Sequence, residues 1–389
     1  MLFTYKSLDN DERAVLERVA TLRHDLRFYV QQNPRRWTEL LARMTRARAL
    51  RASNSIEGIN VSAEDAVAAI DNEDPTDADK KTWQAVEGYR AAMDYILQRC
   101  RDETFQFSKD VLLAVHFMIC QSDLNANPGN FRRGWVGVRN SHTGDVVHEG
   151  IDRDLLDPLI EELIDYLNND NETPVLLKGA MAHLNIAMLH PFTDGNGRTA
   201  RCIQTAVLAN EGIVDPVFSS IEEYIGRNQQ AYYDVLAEVG GGAWHPQHSS
   251  KPWVRFCLSG HYRQAQTLLR RTREIEGMYN EYAELVRQRG LQERTALALV
   301  EAAIGLRVRN ASYRISADIS NNLASRDLKA LADAELLVAA GEKRGRHYAA
   351  GNQILDVRRR LKLPKISDDP FTDLHRRNPN QGVLFPDPG

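Results

Sequence analysis

One twelve-residue stretch, His190-Pro191-Phe192-Thr193-Asp194-Gly195-Asn196-Gly197-Arg198-Thr199-Ala200-Arg201, limits what the rest of this chain can be. It joins two apolar segments of helical periodicity. Before it, Leu177, Met181, Leu184 and Met188 fall on one stripe; after it, a helix is expected over 199–210, ended by Gly212. Gly195 and Gly197 let the backbone take conformations closed to other residues and approach a ligand closely. Successive N–H groups at the start of the second helix form an anion-binding nest. Arg198 and Arg201 are three apart and so share a helix face, and a guanidinium grips phosphate oxygens in pairs. Asp194 supplies one carboxylate, the usual protein share of a Mg²⁺ otherwise held by water and phosphate. His190 closes the first helix and titrates near neutral pH, which suits deprotonation of an attacking hydroxyl. Phe192 anchors the loop in the core. Singly, each feature is what a turn, a structural histidine or a solvated arginine face provides; together in one loop they point to a phosphate site.

The 389 residues suit two or three domains, and 43% apolar with 26% charged residues is ordinary for a globular chain. A formal net charge of −4 supplies no overall basic field for nucleic acid or anionic lipid. No stretch approaches the roughly 20 apolar residues of a membrane span, and the first ten residues lack the pattern of a secretory signal. Cys100, Cys120, Cys202 and Cys257 are scattered in apolar, helix-like contexts, as expected of buried reduced thiols. A cytoplasmic protein without membrane contact is the expectation.

Helical periodicity dominates. Residues 11–50 read as helices with many exposed arginines, 45–57 as a further short helix stopped by Gly58, and 82–100 as another after the acidic loop 71–79. Ser108 is placed to cap a helix over 109–120. The Gly-, Asn- and Arg-rich stretch 128–150 holds strand-like pieces at 135–138 and 146–148, with a hairpin turn at 141–144. Residues 154–168 are helical, and Thr173-Pro174 starts the helix that ends at Leu189, with threonine as the cap. Helices are also expected over 220–239 and 252–288. From Leu291 three short helices (293–304, 310–317, 320–333) precede a hairpin over 336–349, the order of a winged helix-turn-helix. From about Asp356 the chain is basic, then Pro/Asp-rich, as in a disordered tail.

The stretch 190–201 resembles the Fic family motif, His-Pro-Phe-x-Asp-Gly-Asn-Gly-Arg-x-x-Arg, without departure, and similarity extends over about residues 50–260. The resemblance implies a mainly α fold: an all-helical core with a short β-hairpin flap, here followed by a winged helix-turn-helix. It implies a protein adenylyltransferase that moves AMP from ATP to a Ser, Thr or Tyr hydroxyl, with His190 as base and Asp194 on Mg²⁺. Gly195, Asn196 and Gly197 then hold phosphates, and Arg198 and Arg201 grip the β- and γ-phosphates. Gly144, Asp145, Val146, Val147 and His148 correspond to the flap, which docks the target segment as an added strand. Asn228, Tyr232 and Tyr233 correspond to residues lining the adenosine side. Relatives that phosphorylate instead carry Lys at the position of Arg198 and lack the second glycine.

Ser53-Asn54-Ser55-Ile56-Glu57-Gly58 resembles the family's inhibitory motif. A glutamate reaching Arg201 makes a charge-assisted pair in the space of the γ-phosphate. In some relatives that glutamate also directs water to remove AMP. The expected organisation is a helical region 1–105 with its inhibitory helix near 45–58, a core 106–265, a helical linker 266–290, a winged helix 291–352 and a tail 353–389. Expected partners are ATP and a hydroxyl-bearing protein, with self-modification and a homodimer open. The winged helix offers Ser325, Arg326 and Lys329 on its recognition helix and Lys343, Arg344, Arg346 and His347 on its wing. DNA binding there is open; dimerisation or target docking is favoured, because Asp318, Asp327, Asp333 and Glu335 dilute the charge. The rival function is a DNA-binding regulator whose core senses nucleotide, although sensing needs no base at His190.

Overall fold

Short polar side chains start many of the helices that make up most of this computed structural model, which describes residues 1–32, 35–139, 143–210, 220–342, 345–365 and 369–374. Ser62 accepts from Asp65 N–H to begin α3 (Ala63–Asp71), and Asp79 accepts from Lys81 and Thr82 N–H to begin α4 (Lys80–Arg99). Ser108 does the same for α5 (Lys109–Cys120). Before them run α1 (Asn10–Gln32) and α2 (Arg35–Ile56). After the hairpin β1 (Gly137–Arg139) and β2 (Val146–Glu149) come α6 (Arg153–Asn169), α7 (Val175–Leu189) and α8 (Asn196–Asn210). Then follow α9 (Glu222–Arg227), α10 (Gln229–Gly240) and α11 (Lys251–Gln288). The mainly α expectation is met.

α7 and α8 pack along each other at the centre, with α5 and α4 on one side and α2 above. Their burial is nearly all-round: Leu177, Met181, Leu184 and Met188 are covered as the stripe predicts, and so are Ala182, Ile186 and Leu189 on other faces of α7. A helix enclosed on every side can hold the loop at its end rigid. α1 lies along α11, which spans 38 residues, roughly 57 Å at about 1.5 Å per residue.

The C-terminal elements are α12 (Ala296–Ala303), α13 (Asn310–Ala317) and α14 (Asn321–Asp333), then antiparallel β3 (Leu337–Ala340) and β4 (His347–Ala350). Val308 bridges Tyr348 through both main-chain groups. Arg43 on α2 joins this part to the rest: it pairs with Glu301 of α12 (3.2 Å) and Asp71 of α3 (3.4 Å), while Ser316 of α13 donates to the same Glu301 (2.7 Å). Burial pushes the Asp71 carboxyl up to about 6 despite Arg43.

Several boundaries differ from the sequence reading. Residues 45–56 are the last turns of one 22-residue helix, with Glu57 just beyond it, because the apolar face of α2 (Leu40, Leu41, Met44, Ala47, Leu50) continues without a break. Residues 266–290 are no separate linker but the distal part of α11, whose Leu268, Ile275, Tyr279 and Tyr282 are buried. Proline, not Thr173, takes the cap position of α7, and Thr173 instead donates its hydroxyl to Asp170 (2.7 Å). The tail expected to be disordered from 353 begins with α15 (Asn352–Leu361): Ile354 is buried, and its carbonyl accepts from Tyr282 (2.8 Å). The hairpin turn at 141–144 lies partly outside the described residues, as do Gly212, Lys343 and Arg344. Among the described residues, no helix is long and apolar enough to cross a membrane.

Candidate functional site

His190 stands at the C-cap of α7 in the left-handed conformation (φ 49°, ψ 58°), and its N–H closes the helix on Ile186 O (3.1 Å). A non-glycine residue there is uncommon and persists only where its surroundings hold it. Its Nδ1 lies 3.3 Å from Ala187 O. A neutral ring donates from Nδ1 to that carbonyl, which leaves the Nε2 lone pair free as a base. Burial pushes the imidazole down to about 4, against the opposing pull of the Ala187 contact. It is therefore neutral at pH 7.

The turn that follows is packed shut. Phe192 is fully buried and stacked on the His116 ring, with centroids 3.7 Å apart and planes 7° from parallel. His116, a polar residue in the apolar run of α5, accepts from Gly129 N–H at Nδ1 (3.1 Å) and meets Asp194 O at Nε2 (3.0 Å). Burial holds it near 4, so it is neutral and spans the two segments. Gly195 has φ 75°, and a Cβ there would meet Cys120 Sγ at 2.6 Å, so both backbone and space require glycine. The sequence reading gave Asn196 to a phosphate. In the structure its side chain is engaged elsewhere: Oδ1 accepts from Phe192 N–H and Nδ2 donates to Phe192 O, both at 2.9 Å. Its main-chain N–H, in the first turn of α8, remains as a donor for an anion.

Asp194, by contrast, is exposed, with Arg198 Nη2 3.6 Å away. Among the described residues no three His, Cys, Asp or Glu side chains converge as a metal cage. One open carboxylate beside a helix N-terminus fits Mg²⁺ completed by water and phosphate oxygens. Arg198 and Arg201 are both buried. Arg201 donates to Ser53 Oγ from Nε (2.8 Å), to Ser53 O from Nη2 (3.0 Å) and to Glu57 Oε1 from Nη2 (2.8 Å). Among the described residues, Nε of Arg198 and Nη1 of Arg201 find no hydrogen-bond acceptor. Buried donors left open in this way are costly unless something accepts from them. Burial alone lowers the Arg201 guanidinium, but the Glu57 carboxylate outweighs it and leaves it above its ordinary value. Glu57 also faces Gly197 so closely that a Cβ there would strike its Oε1.

The end of α2 is held in place by α10. Gln229 Nε2 (2.9 Å) and Tyr233 OH (3.0 Å) both donate to Ile56 O. Asn228, Tyr232 and Tyr233 lie at the start of the same helix and differ in their partners. The Asn228 amide donates to Tyr224 O (2.8 Å), Tyr232 is buried with its hydroxyl against His183 Nε2 (3.0 Å), and Tyr233 is partly exposed. The Tyr232 and Tyr233 rings nonetheless touch, with centroids 5.3 Å apart and planes 51° from parallel.

On the flap, Gly144, Asp145, Val146 and Val147 are exposed. His148 turns inward instead, with Nε2 2.8 Å from Met188 O, and burial lowers it. The pairing runs Gly137 with Glu149, Val138 with His148 and Arg139 with Val146. In the C-terminal part, Asp327 is buried, accepting from both Arg294 nitrogens (2.7 and 3.1 Å) and from Tyr313 OH (3.0 Å). It does not dilute the surface of α14, where Asn321, Asn322, Ser325, Arg326 and Lys329 are exposed.

Sequence reasoning missed His116, Arg132 and the pair Gln229 and Tyr233 as holders of the site. A single histidine in an otherwise apolar helix was the available signal for the first.

Residues 106–208 match the Fic/DOC family model, so this stretch is a Fic domain. A probable protein adenylyltransferase of Aquifex aeolicus is 33% identical over 81 residues, 21% of this chain and 25% of that protein. Protein adenylyltransferase fic-1 of Caenorhabditis elegans is 33% identical over 100 residues, 24% of this chain and 20% of that protein. These alignments span a quarter or less of the relatives' length. A crystal structure of a Fic family protein from Desulfovibrio desulfuricans G20 superposes with a TM-score of 0.58 at 22% identity, covering 89% of this chain and 98% of that one. Fic-1 from Caenorhabditis elegans gives a TM-score of 0.52 at 19% identity, covering 66% and 72%. Both solved structures share the fold.

Proposed function

We propose that this chain transfers AMP from ATP to a Ser, Thr or Tyr hydroxyl of a protein, and that Glu57 restrains the reaction. The observation that carries the reading is the position of Glu57: its carboxylate pairs with Arg201, abuts Gly197 and is felt by His190. A carboxylate from another helix thus occupies the space that base, glycine turn and guanidinium enclose. Removing it exposes an anion site of matching shape.

In the reaction, Nε2 of His190 takes the proton of the attacking hydroxyl as its oxygen bonds to the α-phosphorus. The bond from that phosphorus to the bridging oxygen breaks, and pyrophosphate leaves. Arg198 and Arg201 supply positive charge from buried, fixed positions, so little reorganisation is needed when charge develops. The first-turn N–H groups of α8 add to the anion site. A Mg²⁺ on Asp194 supplies charge neutralisation at the phosphates when bound. The exposed edge of Val146 and Val147 suits docking of an extended target segment.

Restraint follows from competition. A phosphate gripped by Arg201 has to displace the Glu57 carboxylate, which Gln229 and Tyr233 hold in place through Ile56. The test is intact-mass spectrometry of Glu57→Gly incubated with ATP and Mg²⁺, alone and with lysate proteins. Addition of AMP units supports the reading, and an unmodified population under all conditions refutes it.

A second reading has one observation in its favour. With Asp327 internally paired, the α14 surface carries Arg326 and Lys329 without that acid beside them. We read α12 to β4 as a winged helix that binds duplex DNA or a protein. Salt-sensitive duplex binding by a chain that transfers no AMP in any form would favour a regulator.

A further inference from the structure

We propose that Arg132 is a positioning residue that holds the His190 base and the flap hairpin in one register, an inference that rests on the transfer reading above. Arg132 lies in the glycine-rich segment between α5 and β1, and it is 3% exposed. Its side-chain donors go to carbonyls of three separate segments. Nε donates to His190 O (2.9 Å), Nη1 to Gly134 O (2.7 Å) just before β1, and Nη2 to Ile151 O just after β2. Its own N–H donates to Pro191 O (2.9 Å). One planar fork therefore fastens the turn carrying the base to both feet of the hairpin that presents the target.

Three features make this arrangement more than packing. His190 sits at positive φ, where a side-chain-bearing residue needs outside support, and the Arg132 contact falls on the carbonyl of that same residue. Second, among the described residues the flap makes one further hydrogen bond to α7, between His148 Nε2 and Met188 O, so Arg132 supplies much of the polar link between hairpin and base turn. Third, the hairpin foot is built for the guanidinium. A Cβ at Gly150 would come within 3.3 Å of Nη2 and 2.7 Å of Val136. An ammonium has the charge but cannot reach three diverging carbonyls, so lysine does not replace this residue.

The consequence is kinetic. Base and docking strand must reach in-line geometry together, and losing the fork lets them drift independently while the nucleotide end of the loop stays intact.

The experiment uses the full chain in the Glu57→Gly background, with Arg132→Lys and Arg132→Ala. Melting temperature, binding of a non-hydrolysable ATP analogue with Mg²⁺, steady-state kinetics of AMP transfer, and amide hydrogen exchange over 144–151 and 186–194 are measured. The expected result is that kcat falls about 100-fold in both variants while analogue affinity changes less than about threefold. Exchange should quicken in both segments together. Retention of kcat within about threefold overturns the proposal. So does a loss of affinity and melting temperature in step with kcat, or faster exchange in one segment alone. If Glu57→Gly itself transfers no AMP, the transfer reading fails, and hydrogen exchange still decides whether Arg132 couples the two segments.

Discussion

At its His190 end the 190–201 loop is held by side-chain contacts to main-chain carbonyls, whereas at its Arg201 end it is held by a carboxylate from the end of α2. Arg132 and His116 grip His190 O and Asp194 O, and the Asn196 amide closes the turn on Phe192. All three side chains are buried. The Arg201 end differs. Arg201 is buried, but its partner Glu57 is 29% exposed in its side chain and follows the last turn of α2. A buried charge whose partner is removed is left at high cost, so Arg201 needs an anion at all times. A phosphate can serve in place of the carboxylate. The difference teaches that one end is built for permanence and the other for exchange, as the proposed restrained transfer requires.

That contrast can be broken in graded steps. The largest effect should come from His190→Ala in the Glu57→Gly background, with AMP incorporation falling about 10²–10⁴-fold while ATP still binds. Next, Glu57→Gly should raise incorporation about 10- to 100-fold over the native chain, the equivalent of one displaced charge-assisted contact. An unchanged rate would show that the two ends do not differ in the way described.

Acid should loosen the buried histidines of the core, His116 at the permanent end and His183 within α7. Burial holds His183 at about 3 and His116 at about 4, against 6.5 for a free ring. A depressed histidine binds its proton more readily when the chain unfolds. Its stabilisation is complete above about pH 6.5 and is lost as pH falls from there toward the folded value. For His183 alone this amounts to roughly 2 kcal/mol at pH 5. Melting curves between pH 7 and pH 5 should show the decline, and a flat profile would mean that these rings are protonated in the fold. The same depression keeps His190 neutral, so the acid limb of activity should lie below pH 5, seen in a kcat/KM profile of Glu57→Gly. The smallest effect is expected from Tyr233→Phe, which removes one hydrogen bond to Ile56 O, worth about 1 kcal/mol. It should raise basal transfer about fivefold or less in the native chain and not at all beside Glu57→Gly.

How legible each of these features was in the sequence follows from how local it is. The glycines, His190 and the arginine spacing were readable because their roles depend on neighbours within a few residues. The cap of α5 follows the same logic, since Ser108 bonds to the N–H group three residues on. The pairing of Glu57 with Arg201 spans 144 residues and was reached through resemblance, not spacing. Arg132 and His116 escaped notice because their partners are carbonyls 58 and 78 residues away, and any residue can supply a carbonyl. The Asn196 side-chain contacts were hidden for a related reason: an amide suits an anion and a main-chain pair equally well, and only the closed turn shows it bonded to Phe192. Helix continuity in α2 was underestimated where an arginine-rich outer face masked an unbroken buried stripe, whereas the helix expected over 252–288 is met by α11.

The most direct test of the account compares ATP labelled on the α-phosphate with ATP labelled on the γ-phosphate, using Glu57→Gly with and without His190→Ala. The account predicts protein-bound label from the α position alone, lost when His190 is replaced. Label arriving from the γ position, or α-label that persists without His190, would contradict it.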